Sequence, residues 1–138
     1  MSEQMTGRTV VISRELEAPP ERVFAAWTDV ELLTQWFGCA TDMLWQVHSW
    51  DVKPGGLIHV SLDFDGTPYV VRGRFVDVDE PNRLQYEWEA GQVITVTIEA
   101  HSDGSRMTVE HAGLPNEEME EIVTGGWSAS TIQIKAVL

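Results

Sequence analysis

Between residues 57 and 111 an apolar side chain falls on nearly every second position, and turn-forming residues divide the pattern into short runs. Residues 57–64 place Ile58, Val60, Leu62 and Phe64 on one side and His59, Ser61 and Asp63 on the other. That period belongs to a strand with one buried face. Tyr69, Val71, Gly73 and Phe75 continue it, followed by Leu84, Tyr86 and Trp88, then Ile94, Val96 and Ile98, then Met107, Val109 and His111. Asp65-Gly66, Glu80-Pro81-Asn82, Ala90-Gly91 and Ser102-Asp103-Gly104-Ser105 are turn signals between the runs. Short strands joined by tight turns make an antiparallel sheet. Gly73, in mid-strand, predicts a bend or the close approach of another element. A sheet with one apolar face needs a cover, and the rest of the chain must supply it.

Two stretches fit that need. In residues 18–38 the pair Pro19-Pro20 suits the first turn of a helix, where a missing N–H is harmless. Val23, Phe24 and Trp27 then share a helical face. Thr28 and Glu31 have capping-box spacing and predict a second short helix, which carries Leu33, Trp36 and Phe37 and ends at Gly38. Neither helix is long enough to stand alone. The other stretch starts at Pro115-Asn116, where Met119, Ile122, Val123, Gly126, Trp127, Ser130 and Ile134 recur at helical spacing to about the C-terminus. Gly125-Gly126 costs that helix about 1 kcal/mol per glycine relative to alanine, so close packing against the backbone is expected there.

Residues 8–17 read as a first strand with Val10, Ile12 and Leu16 on one face. Arg14 shares that face. It is either a snorkelling arginine at the sheet edge, one half of a pair with a carboxylate, or an anion site in a cavity. Residues 44–52 form another strand of unsettled parity, because Trp45 and Val47 compete with His48, Trp50 and Val52 for the inner face. Lys53-Pro54-Gly55-Gly56 is a turn. The expected order is strand, two short helices, about six antiparallel strands and a long helix.

At 138 residues and 43% hydrophobic, the chain can bury a core without disulfides or metal. Residues 1–7 are expected to be disordered and residues 8–138 to form one domain. Cys39 stands alone, so no internal disulfide forms. The formal net charge of -13 is a poor match to phosphate backbones and anionic lipid, which excludes nucleic acid and membrane as expected partners. With no signal-peptide pattern and no spanning apolar run, the expected location is the cytoplasm.

The motif R-x-L-x-A-P-P-x-x-V-F-x-A-W-T-D at residues 14–29 resembles the START-like superfamily, also called SRPBCC or birch-pollen-allergen-like. Within it the chain is most similar to the AHSA-type family, named after the activator of the heat-shock-protein ATPase. Leu33 and Trp36-Phe37, the D-x-x-x-G-G turn at residues 51–56 and the pair Gly73 and Phe75 follow in family order. So do Pro81 and Leu84, the run at residues 94–97, His111 and Gly126-Trp127. The resemblance implies an α+β helix-grip fold. About seven curved antiparallel strands surround a long C-terminal helix, two short helices follow the first strand, and an internal cavity lies between sheet and helix. The chain departs from the pattern at Val30, often a proline, and at Thr131, often a leucine, which implies a more polar cavity wall or a shorter helix.

No phosphate loop, metal motif or nucleophile arrangement stands out, so no cofactor or metal is expected and no residue is assigned as catalytic. The cavity candidates are Trp36, Phe37, Trp50, Tyr69, Phe75, Tyr86, Trp88, Met107, His111 and Trp127, with Arg14, His111 and Tyr86 as the polar ones. Each aromatic serves either as core or as cavity wall, because in this fold the two are one face. His111 is a hydrogen-bonded core residue, a polar cavity contact or an acid-base group. Three functions follow as alternatives. The first is non-catalytic binding of a small hydrophobic molecule, in a stress-related setting. The second is a cochaperone-like interaction module with a chaperone partner. The third is a cyclase- or hydrolase-type enzyme, which needs polar groups converging in the cavity. A homodimer is compatible with each.

Overall fold

The computed structural model describes residues 7–36, 44–64, 66–88 and 91–138. Strand β1 (Arg8–Leu16) leads into helices α1 (Pro20–Thr28) and α2 (Val30–Trp36). Six strands follow: β2 (Leu44–Trp50), β3 (Leu57–Phe64), β4 (Thr67–Asp79), β5 (Arg83–Trp88), β6 (Val93–His101) and β7 (Gly104–Leu114). Helix α3 (Glu117–Gln133) and a 3-10 turn (Ile134–Val137) close the chain. All strand pairs are antiparallel, in the order β1-β7-β6-β5-β4-β3-β2, so the first strand joins the last. This is the expected helix-grip arrangement. The disorder expected of residues 1–7 lies outside the described residues apart from Gly7.

The alternating pattern maps onto one inner face. Ile58, Val60, Phe75, Leu84, Tyr86, Ile94, Val96, Ile98, Met107 and Val109 are all buried there. The cover is equally apolar. Val23, Phe24, Ala26 and Trp27 of α1 and Leu33 and Trp36 of α2 are sealed from solvent. The indole of Trp27 lies edge-on to Trp36 at 4.8 Å, the separation at which aromatic pairs attract. Each nearby indole N–H finds an acceptor: Trp27 donates to Met107 Sδ, Trp36 to the Ala26 carbonyl and Trp50 to the Trp27 carbonyl.

A bulge in β2 resolves its parity. The register shifts between Val47 and Ser49, so that Val47 faces Val60 and Trp50 faces Ile58. One extra residue reverses the alternation, so Val47 before His48 and Trp50 after it both turn to the core. A second bulge, between Phe75 and Asp77, bends β4. Gly73 sits before it, where any Cβ would overlap the Glu87 carbonyl of β5, so the expected close approach is real.

Three expectations from the sequence are corrected. The cap of α2 is Asp29, whose carboxylate accepts from the Glu31 N–H, while Thr28 instead turns its hydroxyl back to the Phe24 carbonyl. Ile122 points to solvent, because α3 lies mainly along β1 and buries Trp127, Ser130 and Thr131, with Ile134 buried in the turn that follows. Gly125 and Gly126 have open space around them, so no packing explains them. Asn116 caps α3 as the sequence predicts, by accepting from the Met119 N–H. Among the described residues no helix is long and apolar enough to cross a membrane.

Candidate functional site

The inner face of β4 and β5 holds an aromatic box. Gly73 leaves a gap in the row between Ile58 and Trp88, and Phe75 pairs with Tyr86 across the strands. The Tyr86 ring touches three others edge-on: Trp88 at 5.2 Å, Trp50 at 5.5 Å and Phe75 at 5.8 Å. Trp50 also meets Phe75 at 5.1 Å. The bulge in β2 makes this possible by turning Trp50 inward. Trp88 is half-buried and stands at the solvent side of the box.

Tyr86 is fully buried, and its hydroxyl has no hydrogen-bond partner among the described residues. Burial pushes its pKa far up, so the group stays a neutral donor. Buried hydroxyls nearly always have partners, and each exception calls for an explanation.

His111 lies two strands away in the same cross-strand row, since Tyr86 pairs with Ile94 and Ile94 with His111. Its Nδ1 accepts from the Trp127 indole at 2.9 Å. Its Nε2 therefore carries the proton and donates to Gln92 Oε1 at 2.7 Å. Burial lowers the pKa to about 4, so the ring is neutral at pH 7. Both nitrogens are engaged, and the residue joins β7, the β5–β6 turn and α3. Gln92, a surface-type residue at a turn, gives no sign of this role in the sequence.

Arg14 makes a similar tie at the edge of the sheet. Its Nε donates to Thr131 Oγ1 at 3.1 Å and an Nη to the Ser128 carbonyl at 3.0 Å. No carboxylate pairs with it among the described residues; of the alternatives the sequence left open, the ion pair gives way to a bond with the helix backbone. Cations are favoured near helix C-termini. Thr131 in turn donates to the Trp127 carbonyl, which satisfies its buried hydroxyl.

The polar candidates are thus held apart. Arg14 and His111 are bound to α3, and of the three only Tyr86 presents a buried polar atom without a partner among the described residues. Trp36 and Met107 lie within the core beneath the helices, and Trp127 stacks obliquely on Trp27 at 5.8 Å. Phe37 and the Tyr69 side chain lie outside the described residues. Two solvent-open hollows occur elsewhere among the described residues. One of about 530 Å³ lies between β1 and the first half of α3, and one of about 540 Å³ lies around the β6–β7 turn. Neither involves the aromatic box. Among the described residues no three His, Cys, Asp or Glu side chains cluster as metal ligands.

Comparison with known proteins places this geometry in a family. Residues 17–138 match the family model for activator of Hsp90 ATPase homolog 1-like protein. No curated protein matches. Among solved structures, a protein of Chromobacterium violaceum is 25% identical, with a TM-score of 0.85 over 95% of this chain and 97% of that one. A protein of unknown function from Staphylococcus aureus is 22% identical, with a TM-score of 0.80 over 95% and 93%. An AHSA1-like protein from Aeromonas hydrophila is 19% identical, with a TM-score of 0.76 over 94% and 91%. At these identities the last two speak to the fold alone.

Proposed function

The chain belongs to the activator of Hsp90 ATPase homolog 1-like family, and from that premise we propose that it binds a small, mostly apolar molecule between the inner sheet face and α3, without catalysis. The Tyr86 hydroxyl is the observation that carries this reading. A buried, unpartnered donor costs about 1–3 kcal/mol, and a ligand acceptor placed among Trp50, Phe75 and Trp88 removes that cost. Pockets for small molecules combine apolar and aromatic walls with a few placed polar groups. The ligand expected here is uncharged and apolar, with one carbonyl-class acceptor. The box offers it neutral donor chemistry and no counter-charge.

Native mass spectrometry of the purified chain tests this. A small-molecule adduct that survives in the native spectrum and disappears on denaturation is the expected result, with less adduct on Tyr86→Phe. A bare mass, together with unchanged tryptophan fluorescence on titration with apolar carbonyl compounds, would overturn it.

The family membership and the net charge of -13 favour a second reading, a cochaperone-like module that offers an acidic face to a basic partner surface. Pull-down with a purified heat-shock ATPase decides it. Binding that weakens steeply with salt supports this reading, and no retention at low salt excludes it.

A further inference from the structure

The outer face of the sheet carries two histidines that the ligand site does not use. His59 on β3 faces outward by strand parity. On β2 the bulge sets both His48 and Ser49 against His59, because Val47 still pairs with Val60 while Ser49 already pairs with His59. Bulges recur where a side chain has to be re-aimed. The two imidazole rings lie 4.7 Å apart, tilted by 37°. His48 Nε2 lies 2.7 Å from the Ser61 hydroxyl, which is the next outward position on β3.

We propose that His48 and His59 form an exchangeable site for one divalent late transition metal, with copper(II) bound most tightly. Imidazole suits copper, nickel and zinc, and affinity for a given nitrogen site peaks at copper. Two nitrogens bound to one ion at about 2.0–2.1 Å lie within roughly 4 Å of each other. The ring centroids are 4.7 Å apart, so rotation of the two side chains is what turns one nitrogen of each toward a shared ion. The Ser61 contact supplies the outer support that metal-binding histidines commonly have. With Nε2–H donated to the hydroxyl, the Nδ1 lone pair of His48 is left for the ion. His59 carries no hydrogen bond among the described residues that would compete. The net charge of -13 draws cations toward the molecule. Arg72, paired with His59 across β3 and β4, works against the ion locally. With two protein ligands, water completes the coordination, so the ion exchanges and has no structural role. The site stands apart from the aromatic box, on the opposite face of the sheet, and does not depend on the ligand reading.

The test is calorimetric titration of the full chain with copper(II), nickel(II) and zinc(II) chlorides at pH 7.5 in a non-coordinating buffer. One equivalent is expected to bind, copper tightest, with nitrogen hyperfine structure in the copper spectrum. His48→Ala and His59→Ala should each weaken binding at least tenfold. Arg72→Gln should tighten it about twofold or more. Binding that survives the double replacement of His48 and His59 unchanged would overturn the assignment. So would the absence of any binding below millimolar metal.

Discussion

Tyr86 joins the aromatic cluster with its ring, and its buried hydroxyl has no hydrogen-bond partner among the described residues. Tyr86→Phe keeps the ring and removes only that group. Because an unsatisfied buried donor costs about 1–3 kcal/mol, the variant should stabilise the ligand-free chain by about 1 kcal/mol or more, read as a higher urea midpoint. The same variant should hold an apolar carbonyl ligand less tightly, by about tenfold. A lower urea midpoint would mean that the hydroxyl is satisfied in solution. His111 makes the opposite kind of contribution. Its folded pKa of about 4 lies below the ordinary 6.5, so the unfolded chain takes up the proton first as the pH falls. The stability it contributes is complete above about pH 6.5 and is lost as the pH drops toward 4. The upper bound of that loss is ~3 kcal/mol. Protonation would also set an N–H at Nδ1 against the Trp127 donor. Urea titrations between pH 7 and pH 4.5 should show a smaller decline for His111→Gln than for the native chain. Equal declines would place the acid sensitivity elsewhere.

At the scale of elements, glycines divide into two kinds. Gly73 is held by the β5 backbone, so Gly73→Ala forces the strands apart and should cost about 1–3 kcal/mol. Gly125 and Gly126 have open space and ordinary helical backbone, so alanine at each should add up to about 1 kcal/mol. Thermal unfolding of the three single variants separates the cases. Loss of stability on Gly125→Ala or Gly126→Ala would show that something does approach that face. From sequence alone both kinds look alike, since a glycine within an element announces a break in propensity and not its cause. The same limit applies elsewhere. Strict alternation made β3 to β7 and their shared inner face legible, because period two follows from backbone geometry. In β2 the alternation changed phase at His48, and a bulge leaves no residue signature beyond that conflict. The spacing from Thr28 to Glu31 fits a cap, yet Asp29 took the role, since boundaries one residue apart satisfy the same chemistry. Arg14 was legible as an inward arginine but not as a clamp on the helix backbone, because its partners lie on α3. The aromatic box was legible as a set of rings on one face. The unused hydroxyl of Tyr86 was not, because the lack of a partner is a property of the surroundings.

At the scale of the whole molecule, charge and topology dominate. With a formal charge of -13, the compact state repels itself. Raising ionic strength from about 0.01 to 0.15 M shortens the screening length from about 30 to 8 Å. The melting temperature should therefore rise with sodium chloride over that range, as differential scanning calorimetry would record. A fall would mean that surface ion pairs such as Arg106 with Glu15 outweigh the repulsion. The pairing of the first strand with the last has a consequence for how the protein is made. Arg14 and its partner Thr131 are 117 residues apart. At about 5–20 residues per second, a ribosome takes on the order of ten seconds to bridge them. For most of that interval β1 has been made without β7, and the rings of the inner face are made without α3 to cover them. Closure of the sheet waits for β7 and its cover waits for α3, so the apolar inner face stays open in the nascent chain until both have been made.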